Sequence, residues 1–328
     1  MATSPANGVK RNHVFFLATS ISLIEISLLS TLSFLAAVTS IDRNFVVFLL
    51  FALSSGVIGG IGAARVFKAR KFTASEIFQM IATNFAVVVL LCSFIYLSLG
   101  VCGTFDSALL EAVSGLTTTS LTNLVPESLG ESVLLFRSLT QWLGGAGALM
   151  LVFVALPAAG RTEEFDVAFA KSFTDRTVAK TLVRLTRLYA LLTAIVFVAF
   201  AIAGMSIFES LCHSLSAVSS GGFSTRNASI AGFESSAIEW VVATVMFFTG
   251  MNIVVIWWIW KQKFALILRN SELRLYMLLL VAATISFGVW TRDLGAFGDV
   301  VRDGYFLASS LLSTTGFTNG NWEFPSGM

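Results

Sequence analysis

One short stretch occurs three times in this chain, and it constrains the fold more than any other feature. The copies are SGLTTTSLTN (Ser114 to Asn123), SAVSSGGFST (Ser216 to Thr225) and SSLLSTTGFTN (Ser309 to Asn319). Aligned on Ser120, Gly222 and Gly316, they superpose without a gap, 102 and 94 residues apart. Two hydroxyl columns precede the aligned residue: Thr117/Ser219/Ser313 and Thr118/Ser220/Thr314. A third column reads Thr119/Gly221/Thr315. An internal repeat fixes the architecture before any local reading does.

The medium follows from composition. Of 328 residues, 56% are hydrophobic and only 12% charged, against about 25% charged in soluble domains. Several apolar runs exceed the roughly 18 residues that indicate a membrane span. A polytopic membrane protein is implied, and a water-soluble enzyme is excluded. Cys92, Cys102 and Cys212 are scattered without metal-ligand spacing and read as apolar filler. The two histidines, His13 and His213, are too few for a histidine-based metal centre.

In chain order, residues 1–72 read as an N-terminal two-helix hairpin, with helices near 14–38 and 45–66 joined by SIDRN. Glu25 lies inside the first helix. An intramembrane carboxylate is a functional candidate by default, although shielding by neighbouring helices explains it as well. Residues 73–160 form pore unit 1. Thr73-Ala-Ser-Glu76 is a capping box opening a helix to about 99. An amphipathic segment, 105–116, is too short to cross the core. The hydroxyl stretch comes next, then a long helix near 134–156 that contains Gln141-Trp-Leu-Gly-Gly-Ala-Gly147. Residues 161–270 repeat this order as pore unit 2 after a cytoplasmic linker, with helices near 185–203, 207–218 and 239–260. Residues 271–328 hold an incomplete pore unit 3, with helices near 273–290 and 300–312.

Charge placement orients the chain. Lys10, Arg11, Arg65, Lys68, Arg70, Lys71, Arg161, Lys171, Arg176, Lys180, Arg184, Arg187, Lys261, Lys263, Arg269 and Arg274 fall on one side. Arg43, Arg137, Arg226, Arg292 and Arg302 fall on the other. The positive-inside rule puts the N-terminus in the cytoplasm and all three hydroxyl stretches on the outer side. The basic inner loops fit orientation and lipid headgroups, or the docking of a cytosolic partner.

A short helix that enters a membrane and stops leaves its last carbonyls without intrahelical partners, at the negative end of the helix dipole. Such backbone is tolerated only when buried in protein or lining a wet cavity. A ring of carbonyls can replace the hydration shell of a monovalent cation. Glycine supplies the positive φ that lets successive carbonyls face one axis. No carboxylate lies in the aligned stretches, so Ca²⁺ is poorly served. A single TTG or SGG triplet is an ordinary turn. Three, each directly after a short helix, read as pore loops. The fold class is therefore an all-α polytopic membrane protein. Its helix–pore helix–filter–helix units are K⁺-channel-like and follow a two-helix hairpin.

From Thr73 onward the chain resembles the TrkH/KtrB/HKT superfamily of K⁺ and Na⁺ transporters. The resemblance rests on RSLTQWLGGAG (Arg137 to Gly147), AGMSIFESLCHSLSAVSSGGFSTRNASI (Ala203 to Ile230), GMN (Gly250 to Asn252) and STTGFTN (Ser313 to Asn319). The hairpin is similar to the extra helix pair of TrkH-type members. The resemblance implies uptake of monovalent cations, K⁺ first, through a filter in a bacterial inner membrane. The ion contacts would be Thr118, Thr119, Ser220, Gly221, Thr314 and Thr315, with Ser120, Gly222 and Gly316 as filter backbone. It also implies a homodimer, a cytosolic TrkA-like nucleotide-binding regulatory subunit, and no cofactor beyond the transported K⁺ or Na⁺. No nucleic-acid partner is implied.

Two departures leave alternatives open. Ser120 stands where the family's first filter usually has glycine, and in plant relatives serine there accompanies Na⁺ preference. The closing helix of unit three and all of a fourth unit are missing, so a fragment or one part of a split protein is expected. A non-conducting membrane scaffold is then the rival reading. An intramembrane enzyme using His213 and Glu209 is the weakest alternative. The repeat position of His213 holds Glu111 and Leu307 in the other copies, which shows no shared chemical role.

Overall fold

The computed structural model describes residues 5–66, 72–152, 178–251, 253–291 and 297–320. The described residues are helical, without strands. The helices are α1 (Pro5–Thr39), α2 (Phe45–Val66), α3 (Ala74–Ser98), α4 (Phe105–Leu116), α5 (Glu131–Met150), α6 (Val178–Ala203), α7 (Ile207–Val218), α8 (Ser236–Thr249), α9 (Ile253–Trp260), α10 (Phe264–Arg269), α11 (Ser271–Thr291) and α12 (Phe297–Leu312). Five carry a stretch long and apolar enough to span: His13–Thr39, Phe45–Val66, Ser75–Ser98, Leu185–Ala203 and Ser271–Val289. The repeat-ending helices α4 and α7 have 12 residues each, about 18 Å, well short of the roughly 30 Å hydrocarbon core.

Local signals start these helices. Thr73 caps α3, accepting the Glu76 N–H while the Glu76 carboxylate accepts the Thr73 N–H, the capping box read from the sequence. Ser206 and Glu209 make a second box at α7, and the Thr104 hydroxyl caps α4. A hydroxyl thus fixes where a short helix begins, and each relieves one of the orphan N–H groups of a helix start.

The chain divides into two compact units. The first comprises residues 1–117, 121–124 and 128–188. Its hairpin packs through small residues: a Cβ at Gly59 would lie 2.9 Å from Leu23 Cβ and 3.0 Å from the Ser20 carbonyl. Close approach of this kind supplies the van der Waals packing that helps drive helix association in lipid. Phe48, Tyr96 and Phe136, all fully buried, join α2, α3 and α5 through aromatic contacts with ring centroids 5.4–5.5 Å apart. Glu25 accepts a hydrogen bond from Asn84 Nδ2 at 2.7 Å, and the same amide donates to Ser22 Oγ at 3.0 Å. Its hydrogen-bond partner therefore comes from α3, and that amide also ties Ser22 of α1.

The second unit comprises residues 118–120, 125–127 and 189–328. Its core gathers Phe200, Met205, Ala217, Ile230, Ile238, Val242, Met246, Phe306 and Phe317. Here the structure departs from the sequence reading, which expected one helix over 239–260. Helix α8 stops at Thr249 and α9 starts at Ile253. Gly250 N–H reaches the Met246 carbonyl at 2.9 Å, but Met251 N–H turns to Phe248 at 3.2 Å. The Phe247 carbonyl, freed of its i+4 partner, accepts the Tyr276 hydroxyl at 3.1 Å. Helix α10, in a loop read only as basic, is a further element the pattern did not announce. The linker at 161–177 lies outside the described residues.

Candidate functional site

The repeated stretches take one backbone form. Thr118, Ser220 and Thr314 have φ of +55°, +53° and +58°. Two residues later Ser120, Gly222 and Gly316 have φ of +62°, +82° and +82°. The residues between them are not left-handed. Positive φ at every second residue is neither helix nor strand, and it permits successive carbonyls to face one axis. For a non-glycine residue it costs about 1–2 kcal/mol, and a β-branched residue there is a genuine outlier. Such strain persists where the surroundings over-determine it, and it clusters at functional sites. The first copy carries two strained non-glycine residues, the others one each.

The hydroxyl columns divide by role. Thr117 Oγ1 donates to the Val113 carbonyl at 2.7 Å. Ser219 Oγ meets the Leu215 and Ser216 carbonyls at 3.0 and 2.9 Å, and Ser313 Oγ meets the Ser310 carbonyl at 3.3 Å. The first column therefore ties off the last carbonyls of α4, α7 and α12. In the third copy Thr315 is 1% exposed, and its Oγ1 lies 2.8 Å from Ser313 Oγ. That contact engages the Thr315 hydroxyl.

The three copies come together within the second unit. A Cβ built on Gly222 would lie 2.0 Å from the Thr315 carbonyl oxygen and 2.9 Å from Ser120 Oγ. Only glycine leaves that carbonyl in place. Around Gly316 no heavy atom of a described residue stands within 4 Å of a Cβ, so there only the dihedral requires glycine. Among the nine predicted positions, Ser120, Gly222 and Thr315 are the three that these distances join. Thr119 and Thr314 are exposed, Thr118 and Ser220 half-buried, and Gly221 buried, its N–H on the Ser216 carbonyl at 2.7 Å.

A second set of residues holds each loop just past its left-handed turn. In the first copy the hydroxyl of Thr122 donates to Glu111 Oε1 and accepts from Arg137 Nη2 at 2.9 Å and from Leu124 N–H at 3.1 Å. Asn123 N–H also reaches Glu111 Oε1, at 3.2 Å. Arg137 and Glu111 pair at 3.4 Å, with side chains 2% and 0% exposed. In the second copy His213 takes the place of Glu111. Its Nδ1 faces the Glu209 carbonyl at 2.8 Å, which only accepts, so Nδ1 carries the hydrogen and Nε2 accepts from Ser224 Oγ at 3.0 Å. The ring rests against Phe233 and Phe317. Beside it, Arg226 Nη2 reaches Glu209 Oε1 at 2.7 Å. Burial opposes ionisation of Glu209, but the bonds from Arg226 and Ser206 outweigh it and hold the carboxyl below its ordinary 4.5.

In the third copy Leu307 occupies the position, and other groups take over. Ser310 Oγ donates to the Phe317 carbonyl at 2.7 Å, and Thr318 N–H reaches Ser229 Oγ at 3.2 Å. The Asn319 amide donates to Asp303 and Glu239 at 3.0 and 3.2 Å, and Arg302 pairs with both carboxylates. As a sequence column, Glu111, His213 and Leu307 show no common role. In the first two copies there is one: each grips the hydroxyl eleven residues downstream, Thr122 or Ser224. A polar residue paired with a hydroxyl at that fixed separation was the available signal, and Leu307 concealed it. The His213–Ser224 contact resembles a catalytic dyad only superficially. The imidazole is fully buried, and its other nitrogen is held by a helix carbonyl rather than a carboxylate.

Among the described residues, five helices long and apolar enough to cross a membrane, with short helices that stop at strained, converging loops, define an all-helical membrane protein. The family of TrkH cation transport proteins matches residues 45–323, and the chain belongs to that family, one of transporters and not of enzymes. Among curated relatives, the Trk system potassium uptake protein TrkG of Escherichia coli (strain K12) is 31% identical over 230 residues, 67% of this chain and 47% of its own length. A Trk system potassium uptake protein TrkH of Halomonas elongata is 32% identical over 222 residues, 64% of this chain and 46% of its own. The chain thus spans about half the length of the curated relatives it matches. The fold is that of the crystal structure of the potassium transporter TrkH from Vibrio parahaemolyticus. That likeness has a TM-score of 0.75 at 23% identity and covers 93% of this chain and 66% of the other.

Proposed function

We propose that this chain contributes walls of a filter through which monovalent cations, K⁺ first, cross a bacterial plasma membrane. The supporting observation is the thrice-repeated alternation of positive φ, with the Thr315 carbonyl, Ser120 Oγ and the Gly222 backbone at one place. Neutral oxygens on a strained, braced backbone suit weak, reversible dehydration of a monovalent cation. Thr118, Thr119, Ser220, Gly221, Thr314 and Thr315 are the ion-contacting positions in this reading, and Ser120, Gly222 and Gly316 set the backbone. The N-terminus lies in the cytoplasm. Assembly is as a homodimer with a cytosolic TrkA-like nucleotide-binding subunit.

Ser120 favours a second reading, Na⁺ permeation, because a Cβ and a hydroxyl stand at the first wall where the other walls have glycine. Rubidium-isotope uptake in a K⁺-uptake-deficient strain tests the proposal, with the chain expressed alone and joined to a fourth repeat of the same kind. Uptake in either form, competed by K⁺, is expected. Uptake in neither form, with the protein present in the membrane, contradicts conduction and leaves the scaffold reading. Competition by Na⁺ equal to that by K⁺ favours the second reading.

A further inference from the structure

We propose that the buried Glu111–Arg137 pair is a positioning device. It holds Ser120 in a glycine-like backbone conformation through the Thr122 hydroxyl, and so sets the ion preference of the first wall. The last clause rests on the transport reading above; the first does not.

Three observations carry it. First, Ser120 has φ +62° where the equivalent residues are glycines at +82°. The first loop therefore has an additional residue in a conformation that L side chains avoid. Second, among the described residues the first loop hangs from a buried ion pair, which neither of the other loops does. Glu111 and Arg137 have side chains 0% and 2% exposed, whereas Arg302, which serves the third loop, is 16% exposed and the second loop relies on a neutral imidazole. Third, the brace acts two peptide bonds beyond Ser120. The Thr122 hydroxyl uses its one donor on Glu111 and both acceptor positions on Arg137 and Leu124, and Asn123 N–H is on the same carboxylate. Thr122 itself is exposed, but a hydroxyl whose three hydrogen bonds are all taken, two of them by a buried ion pair, cannot rotate freely, and the peptides joining it to Ser120 inherit that restraint. Buried ion pairs are poor contributors to net stability, which makes conformational specification the better account of this one.

Ser120 and Thr122 are therefore coupled, and the coupling is measurable. The experiment compares four purified chains in detergent: native, Thr122→Val, Ser120→Gly and the double variant. Thr122→Val leaves Glu111 and Arg137 facing each other and removes the hydroxyl that links them to the loop, together with the acceptor of Leu124 N–H. Hydrogen exchange of amides 118–123, read by mass spectrometry, requires no ion transport. Thr122→Val should accelerate that exchange about tenfold in the Ser120 chain, the scale of one hydrogen bond to a charged group, and much less once residue 120 is glycine. Thr122→Ser, which keeps the hydroxyl, should behave as native. Equal acceleration in both backgrounds, or none in either, overturns the proposal. Should Thr122→Val not accumulate, Glu111→Gln enters the same comparison with the same expectations. In a second arm, the ratio of K⁺ to Na⁺ concentrations giving half-maximal thermal stabilisation should shift with Thr122→Val and return with Ser120→Gly. An unmoved ratio overturns the claim about ion preference. A native chain stabilised by neither ion would sink the transport reading, while the exchange arm still decides the coupling.

Discussion

The first and second repeated loops share one backbone and differ in what holds it. Both place positive φ at the same two positions, and both follow a 12-residue helix opened by a hydroxyl cap. The first contains Ser120 and hangs from a buried ion pair through Thr122. The second contains Gly222 and hangs from a neutral imidazole through Ser224. Repetition therefore conserves the shape of the loop while the chemistry that secures it varies. Where a side chain replaces glycine, the securing chemistry is charged and dry.

The largest effect that would sharpen this contrast comes from the braces themselves. Glu111→Ala leaves Arg137 buried without its carboxylate, and loss of one partner of a buried pair costs about 3–5 kcal/mol. His213→Ala strands a neutral hydroxyl, a loss of about 1–3 kcal/mol. Unfolding of both variants in detergent measures the gap, and equal losses would break the comparison. Next come the glycines. Ala at Gly316 incurs the left-handed penalty of about 1–2 kcal/mol. Ala at Gly222 incurs that penalty and also displaces the Thr315 carbonyl, 2.0 Å from the added carbon. Rubidium uptake should fall further in Gly222→Ala than in Gly316→Ala, and the reverse order would mean that the convergence at Gly222 is not where ions pass. Ser120→Gly should stabilise the chain by about 1 kcal/mol, by removing that same left-handed strain, and raise the K⁺/Na⁺ permeability ratio. An unchanged ratio removes Ser120 from the selectivity account.

The smallest effect is one of pH. Glu209 titrates below its ordinary 4.5 in the folded chain, burial being outweighed by Arg226 and Ser206. Its contribution is fully present above 4.5 and is lost as pH falls through the lower folded value. With Arg226 38% exposed, solvent screening keeps it under about 1 kcal/mol. Arg226→Gln should flatten the acid limb of a stability–pH profile, and an unaltered limb would assign it to other carboxylates.

Much of the frame was legible in the residues. The bounds 105–116 and 207–218, the Thr73 capping box and the special dihedrals at 222 and 316 follow from local chemistry: caps, amphipathic length and hydroxyl–glycine spacing. What the sequence concealed depends on distant partners. The break after Thr249 is invisible to hydropathy, since α9 is more apolar than most spans. It is stabilised by Tyr276, 29 residues downstream of the carbonyl it caps. Positive φ at Thr118 and Thr314 runs against the preference of a β-branched residue, so propensity argues against it. The grip of Glu111 on Thr122 and of His213 on Ser224 is recognisable only once helix and loop are folded back on each other. Their unlike chemistry hid their common task.

The central claim, that these converging backbones pass a monovalent cation, is tested most directly by rubidium-isotope uptake with the chain and its Gly222→Ala variant, each in the transport-competent form. Uptake competed by K⁺ is expected, and its loss in Gly222→Ala at equal membrane abundance. Uptake undiminished by that substitution would contradict that claim.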